Sequence, residues 1–270
     1  MRIRNYSERT IKSYVSSLVG LSKFYNCAPT KLTKEQVKDY AYHLLQTKKV
    51  SPSTINQLIS AWKILQVDIL NKDWEKIKIK RARRAKTLPQ VLSQKEAIAL
   101  VGALSNIKHR AILSLTYATG VRRDELLHLR LSDIDTERKV IRVVKGKGNK
   151  TREIPIPDKL ILQLREYYKI HLPKTYLFEG QVPGTPYSAS SMEKIVKNAG
   201  IKANLKKQPS PHVLRHCFAT HMLERGMNLK RLQLLLGHNS LASTSIYLHL
   251  ATPTNQELPN LLVLPINKPL

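Results

Sequence analysis

The sequence predicts a mainly α-helical chain of two domains, with a small β-sheet or hairpin in the second. Three observations carry that prediction. Apolar residues recur at helical spacing behind N-capping residues along most of the chain. One β-branched stretch, Val140-Ile141-Arg142-Val143-Val144, is followed by the turn residues Gly146-Lys147-Gly148-Asn149. A basic run from Lys76 to Lys86 separates a smaller group of helices from a larger one, and 270 residues suit two domains at roughly 150 residues each.

The first domain is expected at residues 1–75. Ser7 caps a helix running to about Tyr25, with Ile11, Tyr14, Val15, Leu18, Leu21 and Tyr25 as its apolar stripe. Thr33-Lys34-Glu35-Gln36 has capping-box form, and Val37, Tyr40, Ala41, Leu44 and Leu45 continue one face. Ser51-Pro52 opens a third helix, where the missing N–H of a first-turn proline costs little. Ile55, Leu58, Ile59, Trp62 and Leu65 supply its buried side.

Residues 76–88 are read as a linker. Seven of the eleven residues from Lys76 to Lys86 are basic and none is acidic. A solvated linker explains part of this; contact with a phosphate backbone, through Lys78, Lys80, Arg81, Arg83 and Arg84, explains the rest. The second domain is expected at 89–250. A capping box at Ser93-Gln94-Lys95-Glu96 opens it, helices fill about 94–104 and 107–118, and Gly120 supplies a C-terminal stop. A short helix near 123–130 precedes the β-branched stretch, and Arg152-Glu153-Ile154-Pro155-Ile156 resumes it beyond the turn. Helices return at about 158–170, 189–199, 212–225, 229–236 and 241–249. The final segment, 251–270, places Leu261-Leu262-Val263-Leu264 among four prolines, an apolar tail expected to dock on something.

Composition narrows function. Hydrophobic residues at 42% and charged residues at 24% suit a folded chain. A net charge of +27 would repel itself unless the working partner is a polyanion, and nucleic acid is the commonest one. No apolar run reaches the roughly 18 residues of a membrane span, and Met1-Arg2-Ile3-Arg4-Asn5 has no apolar segment behind its charges, so no membrane partner and a cytoplasmic location are expected. Two cysteines, Cys27 and Cys217, make neither a disulfide scaffold nor a four-cysteine zinc site. Phosphate-loop and dinucleotide-binding glycine patterns are absent. His212 and His216 have a spacing that can share a metal, but no acid lies between them and Arg215 and Arg225 would repel a cation. No metal and no cofactor are expected.

A set of cationic and histidine residues remains in the second domain: Arg122 after the Gly120 stop, Lys147 at the turn, His212 and Arg215 three apart on one helical face, His238 after Gly237, and Tyr247. Each has a structural explanation when taken alone. Arg122 can pair with Asp124 or Glu125, Lys147 can be a solvated turn residue, and Tyr247 can be core. Together they are what phosphoryl transfer on DNA requires. Guanidinium forks bind the non-bridging oxygens bidentately and stabilise charge building there. A tyrosine hydroxyl, with a pKa of about 10, attacks if its proton is taken up, and a lysine can protonate the departing hydroxyl.

In order, Thr119-Gly120-Val121-Arg122-Arg123-Asp124-Glu125-Leu126, Gly146-Lys147-Gly148-Asn149-Lys150, His212-Val213-Leu214-Arg215-His216, Leu236-Gly237-His238 and Tyr247 resemble the motifs of the tyrosine recombinases, most like compact Xer-like and mobile-element integrases. Phe218-Ala219-Thr220-His221-Met222-Leu223 and Ser243-Thr244-Ser245-Ile246-Tyr247 resemble the family's intervening segments, and residues 1–75 its helical core-binding, SAM-like domain.

The resemblance implies a two-domain, C-shaped clamp on double-stranded DNA. It implies that Arg122 and Arg215 clamp the scissile phosphate, Lys147 is the general acid, His212 assists proton transfer, His238 hydrogen-bonds the phosphate, and Tyr247 forms a 3′-phosphotyrosyl link without ATP or metal. One residue beyond the family spacing precedes the turn, so Lys145 and Lys150 stand as alternatives to Lys147 and as phosphate contacts. Base readout is expected from Lys12, Thr54 and Asn56. By resemblance, a homotetramer exchanges strands between two recombination sites through a Holliday junction, with the tail packed against a neighbouring protomer and with a partner recombinase or accessory protein as a further option. No arm-site domain of the larger phage integrases is expected. A non-cutting DNA binder, an RNA-associated basic protein and a type IB topoisomerase are the rival readings.

Overall fold

A computed structural model describes residues 6, 8–74, 77, 89–144 and 151–251. The chain separates into two compact units, Met1–Lys86 and Thr87–Leu270.

The first unit is helical. Helix α1 spans Glu8–Tyr25, a single 3-10 turn spans Pro29–Lys31, α2 spans Lys34–Gln46 and α3 spans Pro52–Lys63. The capping box of α2 is formed: the Thr33 hydroxyl accepts the Gln36 N–H at 3.3 Å, and the Gln36 side chain accepts the Thr33 N–H at 2.9 Å. Ser51 caps α3, whose first residue is Pro52. The chain runs on from α3 in wider π geometry over Ile64–Ile69, closed by the Leu70 N–H on the Leu65 carbonyl. Leu21, Val37, Ile55, Leu58 and Trp62 are buried where the three helices meet. Ser13 on α1 donates to Gln57 on α3 at 2.9 Å. Val15 departs from the expected stripe, standing 49% exposed; Tyr14, Leu18, Leu21 and Tyr25 keep i, i+4, i+7, i+11 spacing, and Val15 lies one residue off that line.

The second unit builds its core from α4 (Gln94–Gly102), α5 (Ile107–Thr119), α6 (Arg123–Leu127), α7 (Asp158–His171), α8 (Ala189–Lys202), α9 (Pro211–Glu224), α10 (Leu229–Leu236) and α11 (Ala242–Ser245). A three-stranded antiparallel sheet, β1 (Ile134–Asp135), β2 (Val140–Val143) and β3 (Arg152–Pro155), runs in the order β1-β2-β3. Its register pairs Ile134 with Ile141, and Val143 with Arg152. The expected hairpin is thus the β2–β3 pair. Strand β1 is too short to show any alternation of its own.

Helix α9 has no exposed face over most of its length; Val213, Leu214, Arg215, Cys217, Phe218, Ala219, Thr220 and His221 are all buried. It packs against α5, α4, α8 and α10, and a helix surrounded in this way carries a guanidinium inside only if acceptors meet it. Gly120 ends α5 in the left-handed region at φ 61°, its N–H on the Thr116 carbonyl at 2.9 Å. A Cβ there would run into the Phe218 ring. The helix expected over 241–249 is shorter than predicted. After Ser245 the chain continues in successive turns closed by Tyr247 N–H on Thr244, Leu248 N–H on Ser245 and Leu250 N–H on Tyr247. Thr244 is buried and bonded to His238, which holds the chain in this tighter course. Among the described residues no helix is long and apolar enough to cross a membrane.

Candidate active site

The last turn of α10 organises the site. A helix C-terminus leaves its final carbonyls without intrahelical partners and carries partial negative charge. Here three consecutive carbonyls each accept from a different arginine. Leu235 O takes Arg152 Nε at 2.7 Å, Leu236 O takes Arg215 Nη2 at 2.9 Å, and Gly237 O takes Arg122 Nη2 at 2.9 Å. Gly237 turns the chain at φ 61°, and a Cβ on it would stand 2.9 Å from Arg152 Nη1. Leu236-Gly237-His238 therefore combines a left-handed stop with close guanidinium packing.

Arg215 enters from the buried side, only 5% exposed. Besides Leu236 O, its Nη1 donates to the Gly120 carbonyl just past the end of α5, and its Nη2 lies 2.9 Å from His238 Nε2. Burial, reinforced by the nearby Arg122 charge, lowers its pKa to about 10, so it remains a cation at neutral pH. Arginine only donates, so His238 Nε2 accepts and the His238 proton sits on Nδ1, 2.9 Å from Thr244 Oγ1.

Arg122 is the N-cap residue of α6. Its backbone N–H donates to Glu125 Oε2 and its Nη1 to Glu125 Oε1, both at 2.9 Å. Arg152 meets the same carboxylate bidentately, Nη1 to Oε1 at 2.9 Å and Nη2 to Oε2 at 2.6 Å. Burial pushes the Glu125 carboxyl up, but the hydrogen bonds and charges of Arg152 and Arg122 overcome it and hold the group at about 2.

Tyr247 is 2% exposed. Its hydroxyl lies 3.0 Å from His216 Nδ1, and its ring is parallel to His238 at 6.4 Å between centroids. Burial raises the phenol above its ordinary pKa, against the pull of Arg215 and Arg122. Burial also lowers His216 to about 4, with His212 and Arg215 adding to the effect. His216 is therefore neutral at pH 7, and Nδ1 can accept the phenolic proton in a hydrogen bond.

Arg122, Arg215, His238 and Tyr247 are thus brought together. His212 lies on the first turn of α9 as an exposed residue; partial desolvation of its ring and the charges of Arg123 and Arg215 lower its pKa. Lys145, Lys147 and Lys150 lie outside the described residues, as do Ser7, the linker residues Lys78, Lys80, Arg81, Arg83 and Arg84, and residues 252–270. In the first unit Lys12 and Asn56 are exposed, whereas Thr54 is half-buried with its hydroxyl 3.1 Å from the capping Ser51. Among the described residues no group of three His, Cys, Asp or Glu is placed to hold a metal ion.

Sequence reasoning left Glu125, Arg152 and His216 without a role in the site. Glu125 carried a signal, an acid three residues after Arg122 at capping-box spacing. His216 was visible only as a neighbour of His212, and Arg152 read as an ordinary strand residue.

Comparison with known proteins gives the class. Residues 90–253 match the phage integrase family, and residues 1–76 match its N-terminal SAM-like domain. A putative integrase/recombinase, y4qK of Sinorhizobium fredii, is 36% identical over 253 residues, spanning 93% of this chain and 82% of that protein. Tyrosine recombinase XerA of Pyrococcus furiosus is 34% identical, spanning 92% and 85%. A crystal structure of the XerH site-specific recombinase bound to its difH substrate aligns with a TM-score of 0.72 and 23% identity, covering 90% of this chain and 76% of that one. The chain belongs to the phage integrase family, the tyrosine recombinases, enzymes that cleave and religate DNA.

Proposed function

We propose that Tyr247 is the nucleophile of this site-specific recombinase. The gathering of Tyr247 with Arg122, Arg215 and His238 around the end of α10 carries the reading. Arg122 and Arg215 bind the non-bridging oxygens of the scissile phosphate, and His238 adds a hydrogen bond to it once Nε2, an acceptor for Arg215 before DNA binds, carries a proton. The Tyr247 oxygen attacks phosphorus as the bond to the 5′ oxygen breaks, leaving a 3′-phosphotyrosyl ester. Lys147 gives its proton to the departing 5′ oxygen, and His212 takes up the phenolic proton. One phosphoester replaces another, so the reverse attack rejoins the strand without ATP.

In the same reading the chain divides into a core-binding domain at 1–75, a linker at 76–88, a catalytic domain at 89–250 and a tail at 251–270. Both domains contact the duplex, Lys12, Thr54 and Asn56 meet base edges, and the basic linker with Lys145 and Lys150 follows phosphates. Four protomers join two sites and pass through a Holliday junction, with the apolar tail seated on a neighbour and an accessory or partner recombinase where the sites require it. The protein works in the cytoplasm on the nucleoid.

Covalent capture tests this. Wild type and Tyr247→Phe are expressed in the source cell, lysed in denaturing detergent, and the DNA that stays attached is sequenced. Adducts from the wild type alone, stacked at one short inverted repeat, are expected. Adducts from both proteins would overturn the assignment of Tyr247, scattered adducts would favour a topoisomerase, and none from the wild type would leave a DNA binder that does not cut.

A further inference from the structure

Arg152 has no role in the mechanism above, yet it is firmly held within the site. Its side chain is 10% exposed and that of Glu125 is 11%. All its nitrogens donate: Nε to the Leu235 carbonyl, Nη1 and Nη2 to the two oxygens of Glu125. Glu125 in turn holds Arg122 by both backbone and side chain. Gly237, whose carbonyl holds the other arm of Arg122, lies against the Arg152 guanidinium where no Cβ fits.

Charge accounting explains why a third arginine is needed. A lone carboxylate at 2.9 Å from Arg122 would cancel the charge that the phosphate requires. With Arg152 paired bidentately to the same carboxylate, that pair is neutral, and Arg122 and Arg215 keep two positive charges for the substrate. The carboxylate then orients Arg122 without quenching it. We propose that Arg152 is a positioning residue for DNA cleavage, acting through Glu125 to aim Arg122 and preserve its charge. The inference rests on the proposed role of Arg122 at the scissile phosphate.

The test uses the full chain and a synthetic nicked duplex carrying the inverted repeat recovered by covalent capture. One version has an ordinary scissile phosphodiester; the other has a methylphosphonate there, in which a methyl group replaces one charged oxygen. Arg152→Met should slow cleavage of the phosphodiester about 100-fold, the scale of losing one preorganised donor. On the uncharged methylphosphonate, where the clamp has no anion to hold, the same change should cost less than about 5-fold on that scale. Loss by the same factor on both substrates, or no loss on either, overturns the proposal, since a folding defect removes active enzyme whatever the substrate. If Arg152→Met does not fold, Arg152→Lys is read by the same ratio; it keeps a cation but cannot donate to Leu235 and both Glu125 oxygens. Wild type that cleaves neither duplex would overturn the reading of the site itself, an outcome distinct from a wild type that cleaves and an Arg152 variant that matches it.

Discussion

His216 Nδ1 lies 3.0 Å from the Tyr247 hydroxyl, and both groups are shielded from water. The histidine four residues earlier, His212, is an exposed residue on the first turn of the same helix. The hydroxyl is therefore held by a neutral acceptor whose pKa of about 4 makes it a weak base. His216 holds the phenol in place and is itself uncharged at neutral pH.

That contact sets a pH dependence. His216 titrates at about 4 in the folded protein, below its ordinary value of 6.5, so between those values the unfolded chain binds more protons. Its contribution to stability is fully present above about pH 6.5 and is lost as pH falls toward 4. Replacing His216 with Leu should flatten this part of the profile. Urea denaturation at about pH 4.5 and about pH 7.5 checks it: the wild type should lose more stability on acidification than His216→Leu. Glu125, held at about 2, is present in both proteins and cancels in the comparison.

Gly120 and Gly226 are both left-handed, at φ 61° and 82°, but their surroundings differ. A Cβ on Gly120 would enter the Phe218 ring, whereas a Cβ on Gly226 meets nothing within 4 Å. Gly226→Ala should cost about 1–2 kcal/mol from backbone strain alone. Gly120→Ala adds overpacking beside Arg215 and should cost about 3 kcal/mol or more. Thermal or urea unfolding of the two variants side by side measures the difference.

Arg215→Lys should be far from conservative. One ammonium cannot reach the Gly120 and Leu236 carbonyls and His238 Nε2 from the positions the fork occupies. Stability should fall by about 1–3 kcal/mol through unsatisfied buried groups, and covalent adduct formation by about 1000-fold through loss of the clamp. Single-turnover cleavage of the nicked duplex separates the two effects.

Much of this was legible in the residues. Capping boxes at Thr33 and Ser93 and the glycine stop at 120 placed helix ends closely, because their signals are local and chemical. Arg122, Arg215, His238 and Tyr247 were visible as an ordered set. What escaped depends on long-range packing. Arg152 lies 27 residues from Glu125 in sequence, and nothing near it says that a carboxylate waits there. The tighter course after Ser245 is set by Thr244 bonding back to His238, a tertiary contact that overrides helical spacing. Thr54, expected at base edges, has its hydroxyl against Ser51, a use that its position three residues after the cap could have announced.

The three arginines on Leu235, Leu236 and Gly237 share one fate. Long side chains ordinarily explore many rotamers, and immobilising each costs up to about 2 kcal/mol. Here that freedom is surrendered when the protein folds, before any DNA arrives. The arrangement also concentrates risk: fraying of a single helical turn removes one acceptor from each of the three side chains at once, leaving Arg152 and Arg122 on Glu125 and Arg215 on the Gly120 carbonyl. The aim of all three guanidinium groups is thereby tied to the order of one helix end.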